Sequence, residues 1–581
     1  MRYLRMLTNA MAGGVLGATY LVVLVLQLNP QVPIVSLTAM RWFVTLVAFY
    51  GLYLSVAVYL LILGREVLAS RPLRPAWFSV RLAGWVGAAC AVGASVVTWR
   101  NLRGFLSVLD ASSVERMRQG AVATTVFAVI LVLIVLLRYS FGRQGNRTTA
   151  ALLLASMILS VIVPLWLRGP GDLPVPPARP IAAPLRLASV PPRVHLVLLD
   201  GADLDFIRPR VAAGQLPNFG RIIERGASIN LATLKPTQAE PVWGAAATGK
   251  YPPKNGVRSN ALYRVRPDDA DPVNLLPDYC FAAALYYQSF IIEEPVTSLS
   301  LHARTLWDIL ADYGVVSGIV NWPMTHPVRP SPGYVVSDSF DEAASSPLRL
   351  ADAQAAYPTS AVDIAREVFD ALQTKPWHEV LPSFGPNEPP PSGFLQARWD
   401  PAYSEAADAL EQEFATRLTA VRYEGLDIFG HNYLRDAQPD LFGEPARDEA
   451  LRSVLDRYYA YVDGEVGRAM GRLQGDDLLL VVSGFGMKPE AVSKRLLARL
   501  LDWPARSGSH ETAPDGFLLA YGANAAHGVF PRGSIVDLTP TVLYYLGLPV
   551  GRDMDGFART DLFARAYTIE HSVSYIGTHE R

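Results

Sequence analysis

The chain has 581 residues, half of them hydrophobic, and a formal net charge of −1. That length exceeds one ordinary domain, and that apolar fraction exceeds what a water-soluble core uses. With so little net charge there is no basic footprint, which argues against nucleic acid as a partner. The two cysteines, Cys90 and Cys280, stand far apart, so neither a disulfide framework nor a thiolate metal site is suggested.

Apolar stretches of spanning length fall at about 10–28, 42–64, 80–98, 120–138 and 148–167. As helices, each is long enough to cross ~30 Å of hydrocarbon. Any one alone could be a buried soluble helix, but five in succession with short connections predict a transmembrane bundle over residues 1–168. The first run is long for a signal peptide and lacks a small-residue cleavage site, so it is expected to be retained. Arg2 and Arg5, then Arg65, Arg71, Arg74 and Arg81, then Arg138, Arg143 and Arg147 mark one set of connections as cytoplasmic. The opposite loops hold the smaller set Arg41, Arg100, Arg103, Arg116 and Arg118, so the bias is moderate. Five spans then carry the chain to the far side of a cell (inner) membrane. No Asp, Glu, Lys or His sits in the middle of a span, which favours an anchor over a transporter.

Residues 169–193 contain eight prolines, from Pro170 to Pro192, a density that prevents helix and favours extended polyproline segments. They read as a linker to a domain over 194–581, outside the cytoplasm. That domain opens with a β-branched and aliphatic run, Val194 to Leu199, ending at Asp200-Gly201, and continues into a helix from Leu216 to Arg225 that stops at Gly226. An apolar strand with an acid at its carboxyl end is the pattern of a buried parallel strand presenting a side chain to a crevice, although a lone Asp-Gly is also a common tight turn. A helical stretch from about Glu449 to Leu473 leads into a second such strand, Leu478 to Val482. Helix, strand and functional turn in that order predict an α/β sandwich with a mainly parallel central sheet. Residues 339–410, rich at first in Pro, Ala and Ser, are expected to form an insertion or cap.

Several segments carry a resemblance. Lys235-Pro-Thr-Gln-Ala-Glu-Pro-Val-Trp-Gly-Ala-Ala-Ala-Thr-Gly249 with Tyr251-Pro-Pro-Lys-Asn-Gly256 resembles the nucleophile region of type I phosphodiesterases and nucleotide pyrophosphatases of the alkaline phosphatase superfamily. Asn321-Trp-Pro-Met-Thr-His-Pro327, Asp427-Ile-Phe-Gly-His431, Ser483-Gly-Phe-Gly-Met487, Gly508-Ser-His510 with Asp515-Gly516, and Ile535 to Val550 with Asp553-Met-Asp-Gly556 resemble further landmarks in the same order. Any one is weak; together they span nearly all of 194–563. None lies in the membrane part, though five spans followed by such a domain is also the layout of lipoteichoic acid synthases and phosphoethanolamine transferases.

The resemblance implies two divalent ions, one activating a Thr, Ser or Cys nucleophile and the other stabilising the leaving oxygen and later activating water. Carried over by position, one ion falls to Asp427, His431 and His510, a set of two imidazoles and one carboxylate that suits zinc. His527 is a weaker stand-in for His510. The other ion would need Asp200, the nucleophile and an Asp-His pair, but these positions carry Ala239, Gly484 and Phe485. Alanine has no oxygen to attack phosphorus, and a phenyl ring disfavours a buried cation. Thr237 and Glu240 flank Ala239 and are the weak candidates for rescue. The expectation is a membrane-anchored phosphodiesterase-like protein with impaired chemistry, one divalent metal, and a phosphorylated small molecule or lipid as ligand. The alternative is a single-metal phosphoric ester hydrolase or phosphotransferase using Asp427, His431 and His510.

Overall fold

The computed structural model describes residues 1–68, 76–139, 147–169, 191–266, 271–277, 281–345, 352–385, 390–445, 449–500 and 506–580. Most of the proline-rich segment expected to be a linker, 170–190, and parts of two connections expected on the cytoplasmic side, 69–75 and 140–146, lie outside the described residues. The chain divides into two compact units, Met1–Pro176 with Ala261–Pro295, and Pro177–Asn260 with Val296–Arg581.

In the first unit five helices are long and apolar enough to cross a membrane: Arg2–Leu28, Leu37–Leu68, Val80–Gly104, Ala111–Arg138 and Arg147–Leu167. The first is the inner one, 67% buried over its most apolar window against 22% for the second and fifth. Small residues let its neighbour approach: a Cβ at Gly14 would overlap Ser55 Oγ and the Gly51 carbonyl. The other helices turn Leu60, Leu61, Val96, Val129, Leu133, Leu152, Ile158, Ile162 and Trp166 outward. A water-facing bundle does not present so much apolar surface.

Residues 261–295 belong with these helices. Strands Ala261–Val265 and Ile291–Pro295 form an antiparallel hairpin around helix Phe281–Tyr287. Val265, Val273, Leu276, Phe281, Leu285 and Ile291 share one apolar cluster with Val22, Val25, Trp42, Leu46 and Phe49. Asn29, fully buried, ties the segment down: its Oδ1 accepts from Asn274 N (2.8 Å) and Leu275 N (3.0 Å), and its Nδ2 donates to Leu275 O at 2.6 Å.

The second unit is a sandwich on one large sheet. Leu478–Phe485, Val194–Leu199, Leu418–Tyr423, Ser317–Val320 and Gly333–Val336 run parallel in that spatial order. Asp515–Gly522 adds antiparallel on one side, followed by Ala227–Ala232, and Ala356–Tyr357 adds antiparallel on the other. Alternation sorts the central strand between two cores: Val197 and Leu199 face one, Val194, Leu196 and Leu198 the other. On the first face lie helices that include Thr359–Thr374, Gly425–Ala437 and Glu449–Arg472; on the second lie Ala239–Thr248 and Leu538–Tyr545.

Segment 339–410 contributes directly to this body. Its strand Ala356–Tyr357 extends the sheet, and Ala361, Ala365, Phe369 and Leu372 put one helical stripe into the core. The second apolar strand runs three residues further than its sequence suggested, to Phe485, because Asp515 still pairs opposite it there. The register sets Leu199 beside Tyr423 and Ser483, so Asp200, Glu424 and Gly484 emerge together at the carboxyl ends of three neighbouring strands. That is where open parallel sheets place their sites.

Candidate metal centre

Asp427 lies in the first turn of helix Gly425–Ala437, and His431 stands one turn later on the same face. His510 follows the short strand Gly508–Ser509. Ligand atoms of Asp427, His431 and His510 lie within 4.8 Å of one another. His431 Nε2 is 3.4 Å from Asp427 Oδ2, and His510 Nε2 is 3.8 Å from Asp427 Oδ1.

The two rings are held from behind by backbone carbonyls. His431 Nδ1 lies 2.7 Å from Gly508 O and His510 Nδ1 lies 3.0 Å from Thr237 O. A carbonyl only accepts, so each Nδ1 donates, and this holds each Nε2 on the side of Asp427. Asp427 Oδ1 is buried without a hydrogen-bond partner among the described residues. Burial alone would raise the Asp427 carboxyl, but the His431 and His510 rings outweigh it and hold it below the usual range. Burial would likewise lower His431, and the Asp427 carboxylate with the Gly508 carbonyl overcomes this and raises it. Close approach of the central strand is possible because residue 201 is glycine: at φ +72° a Cβ would sit 2.9 Å from Asp427 Cα. An unpartnered buried carboxylate oxygen facing two pre-oriented imidazoles fits a zinc-type ion, with coordination positions left over. A cleft of about 400 Å³ lies alongside, lined by Gly201, Asp203, Phe206, Leu426, Gly430 and Ala513 among others.

The second locus is built otherwise. Asp200 accepts from Arg422 Nη2 at 2.5 Å and Nε at 3.0 Å, and from Trp243 Nε1 at 2.6 Å. The Arg422 and Asp200 side chains are 7% and 3% exposed. Burial would lower the guanidinium pKa; Asp200 and Glu424 outweigh it, so Arg422 stays charged. Gly484 has no room for a ligating side chain, since a Cβ would meet Val242 Cγ1 at 2.5 Å. Phe485 is fully buried with its ring 4.9 Å from that of His510. The residues at this locus do not fit a divalent ion.

The flanking candidates are committed elsewhere. Ala239 starts helix Ala239–Thr248 and packs against the core. Thr237 is fully buried, its hydroxyl donating to Leu234 O at 2.7 Å and its carbonyl orienting His510. Glu240 faces Arg422; burial, with Asp200 and Asp338, pushes its carboxyl up to about 7 against the pull of the guanidinium. His527 is exposed on the approach to an edge strand, outside the cluster. Arg422 lies in none of the motifs, and Val242 and Trp243 lie in the first without a role being read for them. A cation within the apolar strand Leu418–Tyr423 was the available signal, because a charge in a buried strand needs a partner.

A sequence profile of the type I phosphodiesterase / nucleotide pyrophosphatase family matches residues 194–533, more than half of the chain. The chain belongs to that family. No curated protein sequence matches it significantly. Among solved structures, an inactive variant of murine ectonucleotide pyrophosphatase / phosphodiesterase 5 in complex with AMP aligns at 14% identity and TM-score 0.38, covering 64% of this chain and 100% of that one. The human counterpart aligns at 13% and 0.36, over 64% and 99%. A mutant of alkaline phosphatase PafA aligns at 12% and 0.41, over 65% and 100%.

Proposed function

We infer that this family member is anchored in a membrane by its first five helices, carries its sandwich on the extracytoplasmic side, and has lost the covalent route of phosphodiester cleavage. The observation that carries the inference is the second locus, where a guanidinium and an indole N–H satisfy Asp200 and the nucleophile position is Ala239. A fixed internal cation there leaves Asp200 without a free oxygen for a metal. Asp427, His431 and His510 would hold one ion, probed best as Zn²⁺, which when bound supplies a Lewis acid for a phosphate oxygen. Around it, this chain's own groups orient: Gly508 O and Thr237 O fix the rings, and Phe485 dries one side. The function supported best is recognition of a phosphorylated small molecule or lipid.

The test is metal content and turnover of bis-p-nitrophenyl phosphate by the full chain in detergent. One ion per chain and no turnover are expected. Two ions, or turnover near ordinary enzyme rates of about 1–10³ s⁻¹ that His431→Ala abolishes, overturns the reading. A second reading, direct hydrolysis by a water activated on the single ion, is favoured by the coordination positions a three-residue set leaves over. It requires turnover that survives Thr237→Ala. Orientation is checked separately: protease added to intact spheroplasts removes the sandwich, whereas protection places it inside.

A further inference from the structure

Three elements of the first unit meet at one end: the last turn of helix Arg2–Leu28, the first turns of helix Ala111–Tyr139, and the residues closing helix Arg147–Leu167. Between them lies a small cavity lined by Gln27, Pro30, Ser113, Arg116, Met117, Pro164 and Arg168. Its lining holds two arginines and no carboxylate. Arg168 is 3% exposed; its Nη2 donates to Pro30 O at 3.0 Å and to Val32 O, while its Nε and Nη1 are buried with no partner among the described residues. Gln27 is 4% exposed with both amide atoms unpartnered, and Ser113 Oγ is unpartnered too. Arg116 is half-buried: its Nε is unpartnered, while its Nη2 donates to Ser112 Oγ at 2.9 Å and through that hydroxyl is linked to Asp110. Gly120 leaves room for the Gln27 amide, since a Cβ there would come within 2.8 Å of Nε2.

The nearby acids have other work. Asp110 Oδ1 accepts from Ser112 Oγ and Ser113 N, and Glu115 forks onto Arg118 at 2.7 and 2.8 Å. The buried Arg168 guanidinium and one edge of the half-buried Arg116 guanidinium therefore face one cavity with several N–H donors unused. Water would satisfy donors but leave the buried Arg168 charge uncompensated, and buried charges in proteins are paired. An oxyanion compensates the charge and accepts the N–H groups together.

We propose that Arg116 and Arg168, with Gln27 and Ser113, form a binding site for a phosphate-type anion at this end of the helix bundle, apart from the metal centre. The cavity itself takes about one water-sized group, about 10 Å³ of free space, so the anion inserts an oxygen and leaves its body at the rim. Two sources offer that chemistry, an anionic phospholipid headgroup and free phosphate; the first also rests on the helices being spans.

The test is native mass spectrometry of the full chain in detergent, with phosphatidylglycerol, phosphatidylcholine or inorganic phosphate as probe. Retention of one phosphatidylglycerol per chain, at least about tenfold over phosphatidylcholine, is expected, with a loss of about tenfold or more in Arg116→Gln, the value of a charge-assisted hydrogen bond. Arg118→Gln, which removes an exposed arginine paired with Glu115, leaves retention unchanged. Retention of inorganic phosphate alone, lost in Arg116→Gln, supports the site with free phosphate as its source. Arg168→Gln also removes contacts to two carbonyls, so Arg116→Gln, with elution volume and melting temperature as controls, is the deciding variant. Folded Arg116→Gln that retains either probe like the parent, or a parent that retains neither, overturns the proposal. Because the readout needs no metal or turnover, its failure is distinguishable from failure of the functional reading.

Discussion

Arg422→Met breaks the ion pair that occupies the second locus, together with the contact of Arg422 Nη1 to Glu424 at 2.5 Å. Methionine keeps length and volume and removes the charge, leaving Asp200 with the Trp243 Nε1 donor but without both guanidinium contacts. Because both side chains are nearly inaccessible, at 7% and 3% exposure, solvent cannot replace the lost donors. Breaking such a pair from one side costs about 3–5 kcal/mol, against about 0–1 kcal/mol for an exposed pair. For a unit of about 370 residues, an unfolding entropy of roughly 2 cal/mol/K per residue converts that to a melting-temperature drop of about 4–7 °C. The assay is thermal unfolding of the full chain in detergent, followed by circular dichroism. Asp200→Asn combined with Arg422→Met removes the stranded charge and is expected to recover more than half of the loss. Metal content should not rise in either variant, because Gly484 and Phe485 still offer no ligand. A single variant within about 1 °C of the parent, or a double variant no more stable than the single, refutes the argument that the pair is a buried and mutually dependent unit.

Gly484→Asp is expected to destabilise rather than rebuild the second site, by about 1–3 kcal/mol for overpacking alone, since its Cβ would meet Val242 Cγ1 at 2.5 Å; a second ion in this variant on metal analysis refutes that. Saturating Zn²⁺, at about 100 times the dissociation constant, should stabilise the parent by about 2.7 kcal/mol. His431→Ala and His510→Ala should each lose that shift, read as the response of melting temperature to added zinc and to chelator. Asp203 caps helix Leu204–Ala212 by accepting from Asp205 N at 2.8 Å, and burial pushes its carboxyl up to about 6. Its unfolded value is ~3.9, so the folded state holds the proton more tightly; the contribution is complete below about pH 4 and is lost as pH rises through about 6. Asp203→Asn keeps a capping oxygen and should flatten the fall in melting temperature over that window, an unchanged slope counting against the assignment.

The motifs pointed to Asp427, His431 and His510, which the structure brings within reach of one another, because these residues sit in short, locally determined settings. Asp427 and His431 are one helical turn apart, and a spacing of four residues is visible in any sequence. The central strands were legible for the same reason: Val194–Leu199 is buried on both faces and reads as an apolar run broken only by His195. Segment 339–410 was harder. Its opening composition suggests a loop, while the stripe Ala361, Ala365, Phe369 and Leu372 is built partly from alanines, which give a weak hydrophobic signal. Residues 261–295 carried no sign of their partner, since the apolar side chains that join the first unit are the same types that would fill any core.

From sequence alone came the family order of landmarks, the five apolar stretches, and the absence of a nucleophile at Ala239 and of ligands at Gly484 and Phe485, because each depends only on which side chain stands at a position. Tertiary structure decided what surrounds Asp200. Arg422 and Asp200 are 222 positions apart, and Trp243 reaches the same carboxylate from another element, so their meeting is fixed by strand register and helix placement. Likewise the availability of His431 and His510 as ligands depends on which ring nitrogen the backbone holds, and the carbonyls that hold them, of Gly508 and Thr237, are 77 and 273 positions away in the chain. Composition shows which groups a chain owns; only packing at low dielectric determines which of them pair and which stay open to a ligand.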